Sequence, residues 1–177
     1  MPRCLNVMHQ YGQVPAVTDI RHMTPPDTLV DMCPGDFLGS DSSTGVLKAA
    51  LIQTDQAWDT NLSTTQKAAK VKFQGVNLQE IDDADGVCND APDCIPFALY
   101  RQGSTFQRAY KIVDVNGAAA PTTWTRGQGF TFGKVSGSNL LSNDTIQKSS
   151  DADEIVFIAV NDSGAESQAY ALVEFKS

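Results

Sequence analysis

Histidine is almost missing from this sequence, charge is sparse, and no apolar run is long enough to cross a bilayer. The two histidines, His9 and His22, both fall near the start of the chain. A Ser-His-Asp or Cys-His assembly would have to fold one of them back onto a nucleophile, and no Gly-x-Ser-x-Gly elbow supplies that nucleophile. No catalytic residue is therefore assigned. Charged residues make up 19% of the 177 positions, below the roughly 25% of an average soluble protein, and small polar residues fill the gap. Lys and Arg number 13 against 21 Asp and Glu, for a formal charge of −8. Apart from Lys67, Lys70 and Lys72, the basic residues are scattered singly. A nucleic-acid binder needs a basic face to displace phosphate counterions, so neither nucleic acid nor an anionic membrane surface is expected as a partner. With no stretch of about 18 apolar residues and no apolar core in the opening Met-Pro-Arg-Cys-Leu-Asn, neither a membrane span nor a signal peptide is read here. The acidity itself reads first as colloidal solubility, with an outer surface that must stay clear of other polyanions as the sharper alternative.

Cysteine is also scarce. Cys4, Cys33, Cys88 and Cys94 are too few for a disulfide scaffold at this length. Free buried thiols are the first reading; a local Cys88–Cys94 bridge is the alternative, since five residues including Pro92 separate the pair. That spacing does not suit the Cys-x-x-Cys knuckle of a zinc site. The sequons at Asn61, Asn143 and Asn161 read as ordinary turn sequences.

What the chain does have is proline at one end and strand signals over the rest. Five of its 8 prolines (Pro2, Pro15, Pro25, Pro26, Pro34) precede residue 35. Proline removes amide donors and pushes the preceding residue toward extended backbone. Residues 1–35 are thus expected to form an extended arm, with a short strand around Leu5–Met8 and apolar anchors at Leu5, Val7, Met8, Tyr11, Val14, Val17, Ile20, Met23, Leu29 and Val30. Residues 36–177 are expected to form one β-rich domain, a size that buries roughly 70% of its unfolded surface. Val46–Ile52 reads as a mostly buried strand. Ser63-Thr64-Thr65-Gln66 fits a capping box opening a short helix through Ala69. Lys70–Phe73 alternates like a half-buried strand that Gly75 ends or bulges. Pro96–Arg101 and Gln107–Val115 read as strands around a turn at Gln102–Ser104, and Asn116-Gly117 is a strong turn signal. Gly129–Val135 alternates aromatics with polar or glycine positions. Glu154–Val160 and Ala169–Phe175 flank Asn161–Gly164 as a hairpin. About seven short strands with regular turns predict an all-β fold, a small β-barrel or sandwich, with one short helix.

Three constellations invite chemistry and fall short of it. In Glu80–Gly86 an EF-hand would put Ile81 at the first ligand position and Pro92 at the twelfth, so the motif fails and the run reads first as a solvated acidic loop, with a looser calcium site drawing on Asp82, Asp83, Asp85, Asp90 or Asp93 as the alternative. Gly127-x-Gly129 with Gly133 has the wrong spacing for a dinucleotide loop, and strand-like residues follow where a helix should start. Its glycines read as a tight turn and close strand packing. Trp58 and Trp124 could stack on sugars, but lone aromatics beside turns usually close the end of a β core. No metal and no cofactor is expected.

The stretch Trp58–Gln66, followed by Lys70-Val71-Lys72-Phe73-Gln74-Gly75-Val76, resembles a segment of the capsid decoration (cement) proteins of tailed bacteriophage heads, and the hairpin from Glu154 to Phe175 is similar to their closing strands. The resemblance implies a β-barrel or β-tulip-like, non-enzymatic virion protein on the outer capsid surface. It would bind the major capsid protein where its subunits meet, as a homo-oligomer, commonly a trimer. The arm and the Cys88–Cys94 loop depart from that pattern. A carbohydrate-binding β module of a virion fibre, or a tail-tube or head-completion protein, is the alternative.

Overall fold

The computed structural model describes residues 20–23, 31–41, 48–52, 58–80, 95–100 and 106–176. Ten strands and one helix are present among them: β1 Ile20–Met23, β2 Phe37–Asp41, β3 Lys48–Leu51, α1 Leu62–Lys72, β4 Phe73–Asn77, β5 Ile95–Leu99, β6 Gln107–Ile112, β7 Gly129–Lys134, β8 Leu141–Lys148, β9 Phe157–Ala159 and β10 Tyr170–Phe175. The fold is all-β with one short helix, as expected. The first five strands form an antiparallel sheet in the order β1-β5-β4-β2-β3, and the last five close into a barrel, β10-β6-β8-β7-β9. Closure depends on one parallel pair: β6 meets β8 only at Lys111↔Thr145 and Ile112↔Ile146.

Alternation sets the barrel interior. In β6, Arg108, Tyr110 and Ile112 are buried while Gln107, Ala109 and Lys111 are exposed; in β10, Ala171, Val173 and Phe175 are buried. Sheet and barrel share one core. Phe37 of β2 lies 4.9, 5.3 and 5.2 Å from the rings of Tyr110, Phe132 and Phe157. Phe73, where the helix ends, lies 5.2, 5.9 and 6.0 Å from Phe132, Phe157 and Phe175. These spacings suit tilted and edge-to-face contacts, which stabilise beyond the area they bury.

The helix starts differently from its expected capping box. Asn61 is the N-cap, its Oδ1 accepting from the Thr64 N–H at 2.9 Å. Gln66 is instead drawn inward: fully buried, it donates through Nε2 to the Phe132 carbonyl at 2.7 Å and to Gln147 Oε1 at 3.3 Å. The helix also runs through Lys72, so Lys70–Lys72 is not a strand. Val71 is 84% exposed, which a half-buried strand would not allow. Alanines and lysines are good helix formers, and Lys70 and Lys72 in the last turn suit the negative end of the helix dipole. The strand begins at Phe73, and its bulge is present: Leu38 faces Gly75 whereas Gly39 faces Phe73.

Polar contacts fasten the helix to the 149–154 segment. Ser63 Oγ donates to Glu154, which also accepts from Ser149 Oγ at 2.9 Å. Lys70 and Lys176 both donate to the Ala152 carbonyl at 3.2 Å. The Lys67–Asp151 pair at 2.8 Å is solvent-exposed and adds little.

Two expected hairpins are altered. β5 and β6 do not pair with each other but lie in different sheets; local alternation reveals strands, not their partners. The Gln102–Ser104 turn lies outside the described residues. The closing pair β9–β10 is antiparallel, with Val173↔Ala159 and Phe175↔Phe157, but β9 has only three residues. The chain after it leaves the ladder because Ser163 bonds Trp124 instead, with its N–H reaching the Trp124 carbonyl at 3.0 Å.

Because Phe37 and Gln66 join elements that otherwise touch little, both should be sensitive. Phe37→Ala is expected to cost roughly 3–5 kcal/mol. Gln66→Ala is expected to cost about 1–3 kcal/mol, by leaving the Phe132 carbonyl without that partner. Urea unfolding followed by tryptophan fluorescence checks both; a loss under about 0.5 kcal/mol, the range of an ordinary surface substitution, contradicts the assignment.

Candidate functional site

A cleft of about 320 Å³ is bounded by residues 31–36, β6, β8 and the turns carrying Gly117 and Val135. Its back wall is a loop held almost entirely through backbone groups. Asp36 Oδ2 accepts from the Cys33 N–H at 2.8 Å, and the Asp36 N–H returns a bond to the Cys33 carbonyl at 3.0 Å. Buried Asn77 of β4 reads both sides of the turn: Nδ2 donates to the Cys33 carbonyl at 3.1 Å, the Asn77 carbonyl accepts from Gly35 N–H at 2.6 Å, and its N–H donates to the Asp36 carbonyl at 2.9 Å. From the barrel, Arg108 donates to the Pro34 carbonyl and the Tyr110 hydroxyl donates to the Gly35 carbonyl at 2.8 Å.

Gly35 has to be glycine on two counts. Its φ is +97°, and a Cβ there would sit 1.2 Å from an Arg108 guanidinium nitrogen. Arg108 is itself 8% exposed, with its guanidinium carbon 5.3 Å from the Tyr110 ring centre. A nearly buried cation is tolerated only with such partners.

Six ionisable side chains reach the cleft: Arg108, Lys111 and Lys134 against Asp31, Asp36 and Asp144. Arg108 is committed to the loop. The Lys134 ammonium lies 5.3 Å from the ring centre of Trp58. Asp144 Oδ1 accepts from Ser142 Oγ at 2.8 Å, so that hydroxyl is paired with a carboxylate. Among the described residues, no group of three or more His, Cys, Asp or Glu side chains is placed to hold a metal ion. The chemistry this arrangement offers is polar contact with hydrogen-bonding groups.

The residues singled out from sequence are dispersed. Ile20 and Met23 lie in β1, which pairs with β5, and His22 faces Pro96 in that register. Leu5, Val7, Met8, Tyr11, Val14, Val17, Leu29 and Val30 lie outside the described residues, as do His9, the 81–94 run, Cys4, Cys88 and Cys94. Cys33 is disulfide-bonded, which corrects the reading of it as a free thiol. Its polar setting, between Asp36 and Asn77, is not that of a buried apolar thiol. Trp124 is no sugar platform: it is buried, edge-on to Phe130, with its indole N–H on the Asn161 carbonyl at 3.0 Å. Gly127 lies in a turn and Gly129 packs under Ile155, matching the turn-and-packing reading of those glycines.

Sequence reasoning missed Asn77, Arg108 and Tyr110. The one available signal was Arg108 sharing an alternation phase with Tyr110 and Ile112, a charge on the apolar face of a strand.

Burial pushes the Tyr110 phenol far above its ordinary value. A neutral phenol in the fold and an ionisable one in the unfolded chain mean that its stabilising contribution is whole below about pH 10 and falls as pH rises beyond it. Ultraviolet titration should show one tyrosine ionising only as the protein unfolds, and Tyr110→Phe should abolish that late step. Gly35→Ala should destabilise by roughly 2 kcal/mol or more, read as a lowered urea midpoint. Alkylation without reductant, followed by peptide mapping, should leave Cys33 unmodified, and labelling of Cys33 in the native protein would contradict its disulfide. No family model, curated protein or solved structure matches this chain.

Proposed function

We propose that this chain is a non-enzymatic structural protein of a tailed-bacteriophage head: a capsid decoration or cement protein on the outer capsid surface. It binds the major capsid protein where its subunits meet and acts as a homo-oligomer, a trimer in the simplest arrangement. The observation that carries the reading is the position of β1. Among the described residues Ile20–Met23 forms the border strand of the five-stranded sheet, so the chain leading into it arrives at a sheet edge. An extended segment at an edge can add to a neighbour's sheet, with backbone hydrogen bonds supplying affinity. Repetition over a symmetric shell makes many modest contacts act together.

Three further features support it. The barrel interior is filled by aromatic and aliphatic side chains, which suits a rigid brace. Among the described residues that line the cleft, Ser142 is paired with Asp144 and no histidine stands beside it. The formal charge of −8 keeps an outer surface clear of other polyanions.

The test removes residues 2–19 and leaves β1 and the 31–36 loop in place. Capsids assembled with the shortened chain should carry it at clearly lower occupancy than the full-length protein, while its circular dichroism stays that of the intact fold. Undiminished occupancy would overturn the arm's role. Failure of the full-length protein to bind phage capsids at all would overturn the assignment to a phage head.

A further inference from the structure

The turn after β6 combines a labile dipeptide with a lock. An asparagine followed by glycine is the amide most exposed to intramolecular attack, because glycine leaves its own backbone nitrogen unshielded. Asn116 and Val115 are both exposed, so water has access to the turn. The backbone around them is nonetheless tightly held. Asp114 Oδ1 accepts from the Asn116 N–H at 2.8 Å and from the Ala118 N–H at 3.0 Å. The Asp114 carbonyl accepts from the Gly117 N–H at 3.0 Å, and the Asp114 N–H donates to the Ala118 carbonyl at 2.9 Å. Gly117, at φ +81°, is wedged so closely that a Cβ on it would lie 2.4 Å from the Lys134 carbonyl oxygen and 2.5 Å from the Ser136 nitrogen.

We propose that Asn116-Gly117 is a succinimide-forming modification site held dormant by Asp114. In the reaction the Gly117 amide nitrogen loses its proton and bonds to Asn116 Cγ. The Cγ–Nδ2 bond breaks, and ammonia leaves with that proton. Water then opens the five-membered ring at either carbonyl, giving Asp or isoaspartate at position 116. The nitrogen that must attack is the one bonded to the Asp114 carbonyl. The turn would have to swing it toward the Asn116 side chain, and both the two bonds to Asp114 Oδ1 and the wedge at Gly117 oppose that swing. Reaction therefore waits on local opening of the turn. Once it occurs, it is disruptive: isoaspartate lengthens the backbone by one carbon beside a glycine with no room to move, and that glycine forms part of the cleft wall.

Full-length protein is incubated at mildly alkaline pH, folded or in denaturant, and position 116 is followed by peptide mass spectrometry with isoaspartate detection. Folded protein should lose the Asn116 amide roughly ten-fold or more slowly than the unfolded chain, the ratio expected when reaction requires local opening. Asp114→Ala, shown to be folded by circular dichroism, should approach the unfolded rate. Asp114→Asn retains an Oδ1 acceptor and should stay protected. Equal rates in the folded and unfolded wild-type chain would overturn the proposal, whatever the variants do. A folded Asp114→Ala protein as slow as wild type would overturn the role of Asp114.

Discussion

Two phenylalanine rings join this molecule. Phe37 and Phe73 belong to the five-stranded sheet, yet each packs against rings from three barrel strands or their neighbours. Among the described residues, no strand pairing links the sheet to the barrel. The orientation of one layer on the other is therefore fixed by side-chain packing, which is dense and directional for aromatic clusters. The helix arrangement follows from the same constraint. α1 must end where Phe73 can enter the core, and its inward face then falls on the β7 backbone, where buried Gln66 meets the Phe132 carbonyl.

Around that apolar joint the structure uses polar contacts of unusual depth. The helix buries Thr65, Gln66 and Ala69, so its seat is specified by hydrogen bonds as much as by greasy area. The loop at 31–36 is likewise seated on Asn77, Arg108 and Tyr110, each aimed at a backbone group. Satisfied buried polar groups of this kind add modest net stability but strongly disfavour alternative placements. In the proposed role of presenting a fixed surface to a capsid, uniqueness of placement matters more than depth of stability.

The sequence was legible where a local rule decided the outcome. Alternation in Gln107–Ile112 and Tyr170–Phe175, the Asn116-Gly117 turn and the bulge at Gly75 all follow from neighbours along the chain. It was misleading where a distant partner competed with a local one. Gln66 looks like the last residue of a capping box until the Phe132 carbonyl is available to it, and Lys70–Phe73 alternates like a strand until Asn61 sets the helix frame. Pairing was the least legible feature: nothing in residues 95–115 says that its two strands belong to different sheets. The cleft was invisible for the same reason, since its walls come from segments more than a hundred positions apart and its key side chains, Arg108 and Tyr110, read as ordinary strand residues.

The parallel contact between β6 and β8 has a mechanical corollary. Four of the five junctions around the barrel are antiparallel; this one is parallel and, like the β7–β9 junction, is held by two residue pairs. A tensile load across the barrel wall would concentrate at these two junctions, as along the short lines of stitching in a seam. The 31–36 loop, gripping β6 through Arg108 and Tyr110, acts as a clasp beside the parallel junction, and a neighbour bound over this region would brace one of the two short joins in the wall.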